Sequence, residues 1–100
     1  MQHETRKNVF TAILINARSL KDKLESLKST LCELGADVCM LTETWFKENS
    51  QINNLLDDFT NKSGYTFLRR DRTGLKRGGG VAICYDSNRI QLSRAKDPSL

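Results

Sequence analysis

Apolar residues follow two different periods in the first third of the chain. Residues 9–15, read as VFTAILI, are apolar on both parities and rich in β-branched side chains, which predicts a strand covered on both faces. From Ser19 onward, leucines recur at steps of four, three, four and three residues, which predicts one amphipathic helix. Ser19 and Asp22 have the spacing of a capping box, and Gly35 is typical of the position just past a helix. The leucine stripe consists of Leu20, Leu24, Leu27, Leu31 and Leu34.

A second short apolar run, residues 38–42 (VCMLT), predicts a second strand. A strand, a helix and a strand at this spacing form a βαβ unit, in which the two strands are parallel and the crossover is right-handed. A shorter helix is expected to follow, capped by Asn49 or Ser50 and ending near Gly64. Its apolar markers are Ile52, Leu55, Leu56 and Phe59.

The last third of the chain predicts strands rather than helices. Residues 65–70 and 79–85 are expected to form an antiparallel pair, and Ile90 with Leu92 suggests one further strand. The fold class is therefore α/β, with a βαβ start followed by a short helix and an antiparallel strand pair.

The composition fits one soluble globular domain or a piece of one, since 38% of the 100 residues are hydrophobic and 28% are charged. The longest apolar run, residues 81–85, is too short to cross a bilayer, and residues 1–8 lack the apolar core of a signal peptide. We therefore expect an intracellular protein with no membrane partner. The three cysteines follow no metal-binding or disulfide spacing, so we expect buried free thiols at Cys32, Cys39 and Cys84.

The positive charge is concentrated in one segment, RRDRTGLKRGGG. Its residues 69–77 carry five basic groups and one acidic group, and the resulting net charge of +4 equals that of the whole chain. Such a patch favours a polyanionic partner, because arginines bind phosphate oxygens and glycines allow the backbone to approach. The alternative is a solvated hairpin tip that is basic by chance. The segment is neither a P-loop nor a dinucleotide fingerprint. The basic residues are Arg69, Arg70, Arg72, Lys76 and Arg77.

Two polar residues are expected at one edge of the predicted parallel sheet. Asn16 follows the first strand and Glu43 follows the second, and the carboxyl ends of parallel strands meet at the edge where such sheets bind ligands. A carboxylate with an amide partner suits Mg²⁺, which often takes one or two protein carboxylates and completes its shell with water and phosphate. The alternative is that Asn16 caps the loop and Glu43 is solvated, and spacing alone favours this alternative. We expect Trp45 and Phe46 to pack beneath the loop rather than to stack on a base.

Taken in order, the segments ILINARSL, DVCMLTETW and YTFLRRDRTGLKRGGGVAICY resemble the amino-terminal portion of the endonuclease/exonuclease/phosphatase superfamily. The likeness is greatest to the apurinic-type endonuclease domain of LINE-like (non-LTR) retrotransposons, and it runs from Val9 to about Leu92. The resemblance implies that Asn16 lies in the catalytic pocket and that Glu43 is a ligand of Mg²⁺ or Mn²⁺. It also makes DNA the expected partner, with backbone contacts from Arg70, Arg72, Lys76 and Arg77.

The resemblance also implies residues that this chain does not contain. In that family a tyrosine, an aspartate/asparagine pair and a serine-aspartate-histidine motif come later, and the 100 residues end before them. We therefore expect residues 1–100 to be the amino-terminal part of one truncated domain, with little or no activity and with apolar faces left uncovered. The full-length protein would add the rest of the domain and a reverse transcriptase domain, and would act on nuclear DNA. The alternative is a non-catalytic nucleic-acid-binding or relic module that uses the basic patch of residues 69–77.

Overall fold

A computed structural model describes residues 9–71 and 78–95. The chain begins with strand β1 and continues through helix α1, which a single 3₁₀ turn precedes. Strand β2, helix α2 and the strands β3 and β4 follow in that order. Their bounds are Ala12–Asn16 for β1, Lys21–Lys23 for the 3₁₀ turn, Leu24–Leu34 for α1, Val38–Thr42 for β2, Ser50–Ser63 for α2, Tyr65–Arg70 for β3 and Val81–Asp86 for β4.

The strands form one mixed sheet in the order β1-β2-β4-β3. β1 and β2 are direct neighbours and parallel, with Asn16 opposite Thr42, so the predicted βαβ unit is confirmed. β4 lies between β2 and β3 and is antiparallel to both, with Val81 opposite Thr42 on one side and Arg70 on the other. The α/β class is confirmed. The ends of β1, β2 and β3 and the start of β4 therefore lie at the same edge of the sheet.

Both helices cover the same face of the sheet and build the core with it. Among the described residues, neither helix is long and apolar enough to cross a membrane. Each helix ends as its sequence predicts, since Gly35 and Gly64 adopt φ values of 59° and 80° at the C-terminal caps. The Asn49 side chain accepts a hydrogen bond from the Ile52 N–H at 2.8 Å and caps α2. The core residues contributed by helices and strands include Leu24, Leu27, Leu31, Cys39, Leu41, Ile52, Leu56, Phe59, Ala82 and Cys84.

Three local predictions are wrong. Ser19 does not cap α1, since Leu20 and Lys23 occupy the N-cap positions of the 3₁₀ turn and of α1, and no side chain caps either. The Ser19 N–H instead donates to the Glu43 carbonyl at 2.9 Å. The helix predicted to be shorter, α2, spans 14 residues against 11 for α1, since its polar ends extend beyond its apolar markers. No strand forms among the described residues 90–95.

Within residues 9–71 and 78–95, no helix covers the second face of the sheet, so the prediction that the first strand is covered on both faces is also wrong. Leu14, Met40 and Val81 are exposed by 69%, 42% and 51% on the side away from the helices. The side chains of a strand alternate between faces, and the described helices cover only one of them. A contiguous apolar sheet face in water is typical of an interaction surface.

The buried residue Asp37 links residues in or next to three strands at the end of the sheet opposite Glu43. The Asp37 side chain accepts a hydrogen bond from the Thr11 N–H at 2.7 Å and forms an ion pair with Arg89 at 2.9 Å. The Asp37 carbonyl also accepts from the Asp86 N–H at 3.0 Å. Asp37 thus joins the start of β1, the start of β2 and the end of β4, and its burial is compensated by these partners.

The three cysteines are free thiols, as predicted, but only two of them are buried. Cys39 and Cys84 face each other across β2 and β4 within the core. Burial raises the pKa of the Cys39 thiol to about 11 and raises the pKa of Cys84 as well. Cys32 is exposed because it lies one position after Leu31 and therefore points away from the buried stripe of α1.

This difference predicts selective thiol labelling. In the folded chain at neutral pH, iodoacetamide is expected to modify Cys32 alone, because buried thiols with a raised pKa supply almost no reactive thiolate. Mass spectrometry should show one added group in buffer and three in denaturant. Rapid labelling of Cys39 or Cys84 in buffer would contradict the packing of β2 against β4.

Candidate functional site

Polar and glycine residues at or next to one end of all four described strands lie close together. This is the end of the sheet where β1, β2 and β3 finish and β4 begins, and we call it the Glu43 edge. Asn16 ends β1, Glu43 follows β2, Arg70 ends β3, and residues 78–80 precede β4. The register places these ends side by side, since Thr42 lies between Asn16 and Val81. The edge predicted from the order of strands is therefore the edge at which Asn16 and Glu43 lie.

The chain after β1 stays next to the chain after β2. The N–H of Ala17 donates to the Thr42 carbonyl at 2.8 Å, and the Leu20 N–H donates to the Thr44 carbonyl at 3.0 Å. These bonds continue the parallel pairing beyond the regular strands. They keep the backbone on either side of Glu43 next to the segment that follows Asn16.

A run of three glycines, residues 78–80, lies on the other side of the segment after β2 and accepts hydrogen bonds from it. The Thr44 N–H donates to the Gly80 carbonyl at 3.3 Å, and the Trp45 N–H donates to the Gly79 carbonyl at 2.9 Å. The φ values of residues 78–80 are 88°, 82° and 87°, a backbone region that residues with a Cβ rarely adopt. A Cβ on Gly80 would lie 2.6 Å from the Thr44 hydroxyl oxygen, so this contact requires glycine.

The Glu43 carboxylate has fixed partners. Its Oε1 accepts a hydrogen bond from the Trp45 indole N–H at 2.8 Å and a longer one from the Gly79 N–H at 3.4 Å. Glu43 itself is half-buried and has a φ of 56°, a left-handed conformation that costs a non-glycine residue about 1–2 kcal/mol. These bonds distinguish Glu43 from a freely solvated side chain, which was the alternative that spacing favoured.

The two aromatic residues after Glu43 have different environments. Phe46 is buried and packs edge-to-face against Phe67 with 6.2 Å between ring centroids, as expected. Trp45 stays 37% exposed and lies beside Gly78, so the expectation that it packs beneath the loop is met only along its N–H edge. The role of Trp45 as a hydrogen-bond donor was missed by the sequence reasoning. The signal was its spacing, two residues after the glutamate and on the same loop.

The basic patch divides into residues with different environments. Arg69 points to the helix side, where its guanidinium donates hydrogen bonds to the Asp71 carboxylate at 3.1 Å and to the side-chain amide oxygen of Asn53 at 2.7 Å. Its charge is therefore paired with Asp71 within the fold, and its guanidinium already has two hydrogen-bonding partners. Arg70, the next residue on β3, is exposed at the Glu43 edge. The other predicted contacts, Arg72, Lys76 and Arg77, lie outside the described residues.

The donor set at this edge fits one kind of metal site. Within residues 9–71 and 78–95, no three His, Cys, Asp or Glu side chains cluster as ligands. Such a set does not fit a structural zinc site, which needs four protein ligands. One carboxylate, with the Asn16 amide at the end of the neighbouring strand, is compatible with Mg²⁺ or Mn²⁺, because an open octahedral site can complete its shell with water and substrate phosphate.

Comparison with solved structures finds this fold in an AP endonuclease from Archaeoglobus fulgidus, with a TM-score of 0.59 and 20% sequence identity. The match covers 78% of this chain and 28% of that enzyme, so the chain corresponds to less than a third of its length. At this identity the likeness concerns the fold alone. No protein-family model and no curated protein matches the chain.

The chain thus has an α/β fold like part of an AP endonuclease, which agrees with the coarser part of the resemblance seen in the sequence. The assignment to a retrotransposon and the metal role of Glu43 stay predictions.

Proposed function

We propose that the Glu43 edge is part of the DNA-binding and metal-binding site of an endonuclease that nicks a phosphodiester bond, as encoded by non-LTR retrotransposons. One observation carries the proposal: the Glu43 carboxylate is held by the Trp45 indole at the edge where Asn16 ends the neighbouring strand. The nuclease-like fold supports DNA as the substrate.

Each residue at the edge has a proposed role. Glu43 supplies one carboxylate ligand to Mg²⁺ or Mn²⁺, and Asn16 orients the scissile phosphate or a water of the metal shell. A bound metal would stabilise negative charge on the phosphoryl oxygens. Arg70 contacts the DNA backbone, and Arg72, Lys76 and Arg77 are proposed to do the same.

The proposal assigns binding, but not complete chemistry, to these 100 residues. By the resemblance, a general base and a histidine near the phosphate come from later motifs, which this sequence does not include. We therefore expect the chain alone to bind metal and DNA with little or no nicking. In the full-length protein, the rest of the domain and a reverse transcriptase would complete a nuclear function.

The metal dependence of DNA binding tests this proposal without requiring turnover. Fluorescence anisotropy would measure the affinity of the chain for a short labelled duplex, with and without Mg²⁺ at constant ionic strength. The wild-type affinity is expected to rise with Mg²⁺, and the Glu43→Gln affinity is expected not to respond. Glu43→Gln removes a negative charge and can therefore raise the affinity for DNA without any metal. For this reason the two proteins are compared by their response to Mg²⁺ and not by their affinity in its absence. An equal response of both proteins would contradict the metal role of Glu43.

A non-catalytic nucleic-acid-binding module that uses the basic patch of residues 69–77 is the second candidate, favoured by the net charge of +4 in that segment and by the exposure of Arg70. It predicts salt-dependent DNA binding with no response to Mg²⁺. A plasmid-nicking assay separates the cases further. Nicking by the wild-type chain that disappears in Glu43→Ala would support catalysis and contradict the expected inactivity of the 100-residue chain.

Arg70 gives a specific prediction about phosphate contacts. Since each neutralised phosphate contributes about −0.9 to the slope of log affinity against log salt, Arg70→Ala is expected to make that slope less steep by about 0.9. Lys62→Ala is the matched control, because Lys62 is an exposed lysine paired with Asp58 at 3.1 Å near the end of α2 away from the Glu43 edge. Anisotropy titrations over a series of KCl concentrations measure both slopes. An unchanged slope in Arg70→Ala would remove Arg70 from the proposed DNA contacts.

A further inference from the structure

We propose that Trp45 is the positioning residue of Glu43, and that the indole N–H orients the carboxylate for a divalent cation. The inference rests on the metal role of Glu43 proposed above. It assigns a specific function to the only tryptophan of the chain. Trp45 does not contact the metal or the substrate in this proposal.

Of the two hydrogen bonds to the Glu43 carboxylate, the one from the Trp45 indole is the shorter. The Trp45 Nε1–Oε1 distance is 2.8 Å, against 3.4 Å for the Gly79 N–H, and both donors meet the same oxygen. Hydrogen bonds that involve a charged acceptor are about twice as strong as neutral ones. Two donors on one oxygen restrict rotation of the carboxylate group about its terminal bond.

The position of the indole is itself determined by the fold. The backbone of Trp45 is bonded to the Gly79 carbonyl at 2.9 Å, and its own φ is 60°. A Cβ on Gly78 would lie 3.4 Å from the indole nitrogen and 3.5 Å from Glu43 Oε1. The glycine run therefore lets the backbone lie close against the Glu43–Trp45 pair. Trp45 and Glu43 are two residues apart, yet their contact depends on a segment 36 residues further on.

A purely structural role for Trp45 fits the structure less well. The ring remains more than a third exposed, whereas the next residue, Phe46, supplies the buried aromatic contact. An exposed tryptophan whose polar atom is directed at a carboxylate contributes more to orientation than to the core. Partners that orient a metal ligand typically account for a 10- to 100-fold difference in metal affinity.

Metal binding measured directly tests the inference. Mn²⁺ would be titrated into the 100-residue chain, with the EPR signal of free Mn²⁺ as the readout. Trp45→Phe keeps an aromatic ring and removes the N–H donor, and it is expected to weaken Mn²⁺ binding at least about 10-fold. Glu43→Gln is expected to abolish specific binding, and Lys47→Ala, an exposed residue on the same loop, should bind as the wild type does.

A second measurement reports on the hydrogen bond itself. Because the chain has a single tryptophan, its ¹H–¹⁵N spectrum contains one indole cross-peak. That cross-peak is expected at a different position in Glu43→Gln than in the wild type. Adding Mg²⁺ to the wild type is also expected to shift it. If Trp45→Phe fails to fold by circular dichroism, replacing Trp45 with β-benzothienylalanine keeps the ring shape, removes the N–H and decides the same question.

The outcomes separate the two proposals. Wild-type Mn²⁺ affinity in a folded Trp45 variant, with loss of binding in Glu43→Gln, would overturn the positioning role and leave the metal role of Glu43 intact. An indole cross-peak that does not move in Glu43→Gln would also overturn the positioning role. Absence of specific Mn²⁺ binding in the wild type would overturn the metal role of Glu43, and the inference with it.

Discussion

Replacing Gly80 with alanine is expected to lower the free energy of unfolding by about 2–5 kcal/mol. The added Cβ would lie 2.6 Å from the Thr44 hydroxyl oxygen, and overpacking of this kind costs about 1–3 kcal/mol. The left-handed conformation adds about 1–2 kcal/mol for a residue with a side chain. Urea denaturation followed by circular dichroism measures the loss.

Two variants separate strain from the steric clash at Gly80. Gly78 has nearly the same φ, 88°, but its Cβ would come no closer than 3.4 Å to its neighbours, so Gly78→Ala should show the strain alone. Adding Thr44→Ala to Gly80→Ala removes the clashing oxygen and should recover part of the loss. The Thr44 hydroxyl has no hydrogen-bond partner among the described residues, but Thr44→Ala also removes a buried methyl group, so the single variant Thr44→Ala is the reference for the double variant. Equal effects of Gly78→Ala and Gly80→Ala would contradict the proposed close contact.

The second large effect is expected at the opposite edge of the sheet. Asp37→Ala should lower the free energy of unfolding by about 2–4 kcal/mol, because it removes a buried partner of both Thr11 and Arg89. Arg89 remains partly exposed and can be solvated, which keeps the loss below that of a fully buried pair. Since a domain of this size is stable by about 5–15 kcal/mol, the urea midpoint should fall clearly.

Asp58→Ala is the matched control for Asp37→Ala. Asp58 also forms an ion pair, with Lys62 at 3.1 Å, but both side chains are more than half exposed. Exposed pairs contribute about 0–1 kcal/mol, so the urea midpoint should hardly change. If the two aspartates have similar effects, the buried network around Asp37 does not stabilise the sheet as described.

The two ends of the sheet therefore differ in their contacts. At one edge, Asp37 joins three strand ends through buried polar contacts and serves stability. At the other, where we propose the metal site, Asn16 is exposed, Glu43 is partly buried, and the Gly79 N–H donates to the Glu43 carboxylate. We expect folded variants of the Asp37 edge to keep the Mg²⁺ response of DNA binding, which variants of Glu43 should lose.

The sequence alone determined those features that depend on neighbouring residues. The leucine stripe of α1, the Asn49 cap and the glycines that end both helices follow from helix period and backbone conformation. The βαβ order also determined that Asn16 and Glu43 lie at one edge, because a helical crossover makes the strands parallel. Leu34 is an exception, since it continues the stripe but is exposed at the end of α1.

Only the tertiary structure decided which side chains surround Glu43 and which arginine is available. β4 inserts between β2 and β3, and this long-range pairing brings Gly79 to a carboxylate 36 residues earlier in the chain. The same arrangement directs Arg69 to Asp71 and Asn53 and leaves Arg70 exposed, although the two are adjacent in sequence. Successive residues of a strand face opposite sides, and which side is covered depends on where the helices pack. For that reason the sequence was enough to find the basic patch, whereas only the packing showed that Arg69 is bonded within the fold and that Arg70 is exposed.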